Sequence, residues 1–244
     1  MSPEINAREF ADLAEAMSGE STPVETAEQV VAFAKQQLGA DWAGITMITA
    51  GGRLRTLAPT APLVEDVDVL QYELGEGTCH DSSWTGQTLV ANDLRTDPRW
   101  PTWGPKVAAL GVVSALAAEL TRTDDRRIGS INLYWNRPME ISADDAAYAH
   151  IFARHAAIAL QASFSDAQLH VALDTRKVIG AAQGILMERH GLTMDQAFQV
   201  LRRYSQDHNV KLRNIAEQLL ATRKLPGNGG IDPGRRSTRS PRQR

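Results

Sequence analysis

The 244-residue sequence has one cysteine, Cys79, so no disulfide can form within the chain. No stretch approaches the roughly 20 consecutive apolar residues of a membrane-spanning helix, which argues against a membrane partner. The opening MSPEINAREFADLAEAM is acidic and amphipathic and lacks the basic start and apolar run of a secretory signal. The expected address is the cytoplasm. No glycine-rich phosphate loop precedes a helix, and His80, His150 and His155 show no recognised ligand spacing, so neither a metal nor a cofactor is expected. The scattered Asp, Thr and Lys pattern of a phosphorylatable receiver is also missing. Aromatic residues are scarce at 6%, but 43% hydrophobic and 23% charged residues are ordinary for a folded chain. The length suits one large or two modest domains.

Proline is absent from Ala143 to His190, and only Gly180 and Gly184 interrupt that stretch. One nearly continuous helix is therefore expected, with Ser142 as its cap and Asp144 and Asp145 at its positive end. Small or apolar residues recur every seven positions at Ile151, Ile158, Ser165, Ala172, Ile179 and Leu186. A second row holds His155, Ala162 and Leu169. This is a weak heptad seam, which predicts intramolecular packing near Ile151 and a dimeric coiled coil from about Ile158 onward.

Ahead of that helix, residues 4–17 read as a first helix, and a second runs from Val24 to Gly39. Trp42–Thr49 and Arg53–Leu57, across Gly51-Gly52, read as a β-hairpin. Residues 63–106 read as loop-rich, with a short apolar run at Thr88–Ala91. Val112–Leu120 and Ile128–Trp135 read as further strands. The layout is an α+β domain with a largely antiparallel sheet.

The pieces Gly75-Glu-Gly-Thr-Cys79, Val90-Ala-Asn-Asp-Leu94, Asp97-Pro-Arg-Trp-Pro101 and Gly111-Val-Val-Ser114 make residues 22–162 resemble a GAF domain. That resemblance implies a pocket, between the sheet and the loop-rich middle, for a small-molecule or protein signal. Cys79, Trp84, Asp93 and Trp100 are the candidate pocket residues. Trp84, Trp100 and Trp103 could equally be core. Cys79 beside His80 and Asp81 does not read as a catalytic thiol, because nucleophile and base normally converge from separate parts of a fold. No enzyme activity is expected.

Beyond the long helix, Gly191 suits a helix C-cap, and Thr193 stands three residues before Gln196 at capping-box spacing. The next helix repeats apolar groups at Ala197, Val200, Leu201 and Tyr204, and a last one carries Leu212, Ile215, Ala216, Leu219 and Leu220. Three helices with short joints predict a small bundle. Its polar faces are basic at Arg176-Lys177, Arg202-Arg203, Lys211 and Arg213. Each pair alone reads as solvated surface, but the sum does not. From Val171 onward there are 14 Lys and Arg against 6 Asp and Glu, a net of +8, while the rest of the chain nets −11. An acidic front and a basic back point to a polyanion as partner.

Here the order Arg176, Ile179, Ala182, Gly184, Ile185, Leu186, Met187, then Ala197, Phe198, Leu201, Arg202, Ser205, then Asn209, Leu212, Ala216 resembles the ANTAR domain. That family implies an RNA-binding antiterminator that grips paired hairpin loops of a nascent leader transcript as a homodimer. Arg176, Arg202 and Ser205 fall on motif positions. Lys177, Arg203, Lys211 and Arg213 are candidates by charge, and Gln183 and Ser205 as readers of loop bases. The domains expected are an N-terminal helix over 1–21, the sensor over 22–162, a helical linker over 163–172, the RNA-binding bundle over 173–224 and a disordered basic tail over 225–244. A dimeric DNA-binding regulator with the same sensor is the competing reading. Against it, the joint between the two short helices lacks the tight glycine turn of a helix-turn-helix.

Overall fold

A computed structural model describes residues 22–49 and 51–225. The helix expected over 4–17 and the tail after 225 lie outside the described residues. The chain divides into two compact units, Met1–Ala167 and Gln168–Arg244.

In the first unit, α1 (Pro23–Gln37) starts at a capping box in which Thr22 and Glu25 satisfy each other's backbone amides. The hairpin follows as β1 (Trp42–Ile48) and β2 (Leu54–Leu57), with Ile45 opposite Leu57. Then come α2 (Pro62–Leu74), α3 (Thr78–Thr85), β3 (Leu89–Ala91), α4 (Trp103–Ala109), β4 (Ser114–Thr121) and β5 (Arg127–Trp135). The five strands form an antiparallel sheet in the order β2-β1-β5-β4-β3.

The loop-rich reading of residues 63–106 is corrected by α2, α3 and α4. These helices hide from sequence patterns for a physical reason. Neither α2 nor α3 has a side-chain N-cap, and α3 buries Thr78, Cys79, Ser82 and Ser83 rather than large apolar groups. The glycine-rich turn before α3 also has a structural task. The Glu76 carboxylate accepts from the backbone amides of Thr102 and Trp103, both at 2.9 Å, and so satisfies the start of α4.

Both faces of the sheet are covered, which explains why β4 is buried at all eight positions and shows no polar alternation. On one face, Leu116, Ala118, Leu120, Ile131, Leu133 and Trp135 pack with α1 and with Tyr148–Leu160, and Phe33 stacks on Phe152 at 5.6 Å. On the other, Ala115 and Tyr134 join Val64, Val67, Trp100, Trp103 and Val107. At Gly129 the backbone of β1 comes so close that a Cβ there would stand 1.8 Å from the Thr46 carbonyl oxygen.

The long helix α5 (Ala143–His190) is continuous over 48 residues. The Ser142 hydroxyl accepts from the Asp145 amide at 3.1 Å, and the Asp145 carboxylate accepts from the Ser142 amide at 2.9 Å. Phe152, Ala153, Ala156, Ala157 and Leu160 are buried in the sheet unit. The seam beside them is not. His155, Ile158, Ala162, Ser165, Leu169 and Ala172 are exposed, with Ile158 at 50% and Leu169 at 57% of full accessibility.

The second unit contains the end of α5, α6 (Met194–Asp207) and α7 (Leu212–Thr222). Gly191 takes the left-handed conformation at φ +63°, and its amide donates to the Met187 carbonyl at 2.9 Å, closing α5. The Thr193–Gln196 capping box then opens α6. Ala182, Leu186, Ala197, Leu201, Ile215, Ala216 and Leu219 form the core. On each helix they are separated by three or four residues, with Ile215 and Ala216 side by side on α7, the pattern of one helix face.

Candidate nucleic-acid interface and sensor cavity

The small core of the second unit fixes three helices and turns their polar faces outward. Arg176, Arg202 and Lys211 are exposed and make no ion pair among the described residues. Lys177 pairs with Asp174 at 3.2 Å, Arg203 with Asp207 at 3.5 Å and Arg213 with Glu217 at 2.7 Å, all within one turn of their own helix. Arg213 also donates to the Thr175 hydroxyl at 3.5 Å, which brings the start of α7 beside the Arg176-Lys177 pair of α5. Arg189 donates to the Arg223 carbonyl at 2.6 Å, covering the end of α7.

The two polar side chains expected to read bases are engaged within the chain. The Gln183 amide donates to the Met194 carbonyl at 3.0 Å, and the Ser205 hydroxyl donates to the Val210 carbonyl at 2.6 Å. Each thereby steadies a helix end. One feature escaped the sequence reading here. Tyr204 and His208 stack with centroids 5.8 Å apart, a pair visible only as i, i+4 spacing. The joint between α6 and α7 also differs from expectation. It is tight, four residues from His208 to Lys211, with Asn209 at φ +51° supplying the left-handed turn that glycine commonly supplies.

In the first unit the candidate pocket residues separate. Cys79 and Trp100 are packed inside, at 0% and 1% exposure. Trp100 donates from Nε1 to Asp81 at 2.8 Å and carries Arg99 on its ring face at 4.3 Å. Asp93 chelates Arg95 at 2.6 and 2.8 Å, and this hydrogen bonding holds its carboxyl below the usual range. Trp84 alone of the four lines the open cavity of about 350 Å³, together with Gly52, Arg53, Leu54, Tyr72 and His80.

Beneath that cavity lies a buried polar network that the sequence reading missed. Asp68 accepts from Tyr134 at 2.7 Å, Thr56 at 2.8 Å and Gln71 at 3.3 Å. Gln71 in turn accepts from the Cys79 amide at 2.9 Å. Tyr72 shares hydrogen bonds with Thr46 and Thr56, and Asn132 donates to Thr46 and accepts from Ser130. Burial pushes the Asp68 carboxyl up to about 6, while hydrogen bonds from Tyr134, Thr56, Tyr72 and Cys79 restrain the rise. Burial first, and then the charge of Asp68, push the Cys79 thiol up, which keeps it protonated and a poor nucleophile. A signal was present. Val64, Val67, Asp68 and Gln71 share one helix face, and two polar residues there mark a buried cluster.

Comparison with known proteins gives the class. A family model of the GAF domain matches residues 20–161, more than half of the chain, and one of the ANTAR domain matches residues 167–220. The chain belongs to the GAF domain family, and an ANTAR domain follows its GAF domain. The curated relatives include the transcriptional regulatory protein PdtaR of Mycobacterium tuberculosis, from strains CDC 1551 and H37Rv. It is 35% identical over 60 residues, covering 25% of this chain and 29% of the relative. The chain thus spans under a third of that relative's length.

Among solved structures, bacteriophytochrome RpBphP3 from the photosynthetic bacterium R. palustris aligns with a TM-score of 0.58 at 12% identity. That alignment covers 80% of this chain and 45% of the other. The GAF domain of an Acinetobacter phosphoenolpyruvate-protein phosphotransferase aligns at 0.52 with 9% identity, covering 66% and 96%. Free methionine-R-sulfoxide reductase from Neisseria meningitidis aligns at 0.50 with 15% identity, covering 67% and 96%. At these identities the likeness shows the fold alone. Among the described residues, no helix is long and apolar enough to cross a membrane.

Proposed function

We propose that this protein is a signal-responsive regulator of transcription that binds RNA through its ANTAR domain and acts as an antiterminator. The observation that carries the reading is the coincidence of the ANTAR match with a small bundle whose Arg176, Arg202 and Lys211 stand exposed and make no ion pair among the described residues. Such cations hold phosphates at little desolvation cost. Two copies associate along the exposed α5 seam of Ile158, Ala162, Ser165, Leu169 and Ala172, because a heptad row of this kind buries itself against its own copy. The dimer presents two bundles to two adjacent hairpin loops of a leader transcript and so keeps a terminator hairpin from forming. The GAF unit supplies the signal and no catalysis. The whole acts on RNA in the cytoplasm.

A competing reading is a dimeric DNA-binding regulator with the same sensor. The tight four-residue joint at His208–Lys211 favours it, since helix-turn-helix modules use such turns. A competition assay at fixed, near-physiological salt separates the two. Labelled RNA with two adjacent hairpin loops is challenged with single-hairpin RNA and with duplex DNA. Selective retention of the double hairpin, lost in the Arg202→Ala/Arg203→Ala variant, supports the antiterminator. Preference for duplex DNA sinks it in favour of the DNA regulator. Equal, steeply salt-dependent binding to all three reduces the basic face to an electrostatic patch.

A further inference from the structure

We propose that the cavity bordered by α3 and the β1–β2 hairpin binds a small planar aromatic carboxylate. Its ring would lie on Trp84 and its carboxylate on Arg53. The proposal rests on the sensor reading of the GAF unit and names the chemistry of its ligand.

The size of the cavity, about 350 Å³, is at the small end of ligand sites and suits one or two rings. Its wall is an indole that the fold leaves uncovered. Trp100, Trp103 and Trp135 are buried, whereas Trp84 keeps 44% of its surface in solvent. The indole edge lies 3.8 Å from where a Cβ would stand on Gly52. With no side chain at that turn, nothing there competes for the ring. An exposed, flat, amphipathic face of this kind is a stacking surface.

Among the described residues, Arg53 is exposed and makes no ion pair, and no carboxylate lines the cavity itself; Asp81 stands behind His80. The carbonyl end of α3 is unfavourable to an anion, but Arg127 covers part of it by donating to the Trp84 carbonyl. His80 is held in place from behind. Its Nδ1 bonds the Asp81 carboxylate at 2.9 Å, and the other Asp81 oxygen accepts from Trp100 at 2.8 Å. With the Nδ1 proton committed to Asp81, Nε2 of the neutral ring faces the cavity as an acceptor, and Arg53 is the group that receives a carboxylate. Tyr72, whose hydroxyl is fixed by Thr46 and Thr56, closes the floor and joins the cavity to the buried network around Asp68. A ligand seated there rests on the buried polar cluster around Asp68.

The test is isothermal titration calorimetry of the full chain with benzoate and indole-3-carboxylate, each against its carboxamide. Carboxylates are expected to bind about tenfold more tightly than the amides, the worth of one charge-assisted hydrogen bond. Arg53→Gln should bring that ratio to near one. Trp84→Leu should weaken acids and amides alike by about tenfold or more. Both positions are exposed, and a thermal melt checks that each variant folds. Equal affinity for acids and amides in the unaltered protein, an unchanged ratio in Arg53→Gln, or no binding in either series overturns the proposal. The same samples enter the hairpin competition assay. Carboxylate binding without any change in RNA affinity upholds the ligand class and sinks the sensor reading. Amides that bind as well as acids and shift RNA affinity do the reverse.

Discussion

The two units solve the problem of polar groups in opposite ways. The sheet unit buries Thr46, Asp68, Gln71, Ser130 and Asn132 completely and satisfies them with one another. Among the described residues, the helical unit buries seven apolar residues in its core and leaves its charges exposed or half-buried. A buried network is costly unless every member is partnered, so it fixes one arrangement and punishes any other. A small apolar core is forgiving in detail but has little to spare. The first design suits a cavity that must discriminate between ligands. The second suits a surface that must present cations.

The sharpest way to break the sheet unit is a single methyl group. Gly129→Ala would drive a Cβ into the Thr46 carbonyl oxygen, at 1.8 Å, between two central strands. The expected loss is about 4 kcal/mol or more, read as a collapse of the thermal transition of the sheet unit. A transition within a few degrees of the unaltered protein would show that β1 can move aside.

In the helical unit the matching test is Leu201→Ala. Leu201 is fully buried in a seven-residue core, so the cavity should cost about 3 kcal/mol. Hydrogen exchange should then show α6 and α7 losing protection while β4 and β5 keep theirs. Loss spread evenly over both units would mean that they unfold as one.

The third test uses pH. Asp68 has a folded-state pKa of about 6 against an ordinary value of 3.8, so the folded chain holds a proton that the unfolded chain has lost. The stabilisation is complete below the unfolded value and disappears as pH rises through about 6. Its size is on the order of 2–3 kcal/mol. Asp68→Asn should flatten the stability of the sheet unit between about pH 4 and 6. A variant that keeps the slope would assign it to other groups.

What the sequence made legible follows from the same contrast. The helical unit was readable down to its caps, because Gly191, Thr193 and Gln196 act locally and its apolar period is unbroken. The hairpin and the strands β4 and β5 were also readable as β-branched and apolar runs. Between them, α3 was not, since a helix that buries threonine, serine and cysteine has no apolar stripe to show. The candidate cavity was legible only in Trp84. Arg53 and His80 are 27 positions apart in the chain and meet through the placement of the hairpin beside α3, which no local pattern encodes. Asp93 and Trp100 attracted notice for residue type, and both turned out to be committed to neighbours, Arg95 and Asp81.

The strand lengths have a consequence of their own. The sheet's inner strands β4 and β5 run for eight and nine residues, while the outermost strands β2 and β3 have four and three. An outer strand offers its unpaired amides and carbonyls to any chain that can lie alongside, and a rim this short offers few. The apolar run Ser114–Thr121, which would be prone to fibrillar stacking if laid bare, is paired along its length with β5, and β3 covers Ala115–Ala117 on its other side. Self-recognition by strand addition is thereby discouraged, and the proposed pairing of two copies falls to the exposed face of the long helix instead.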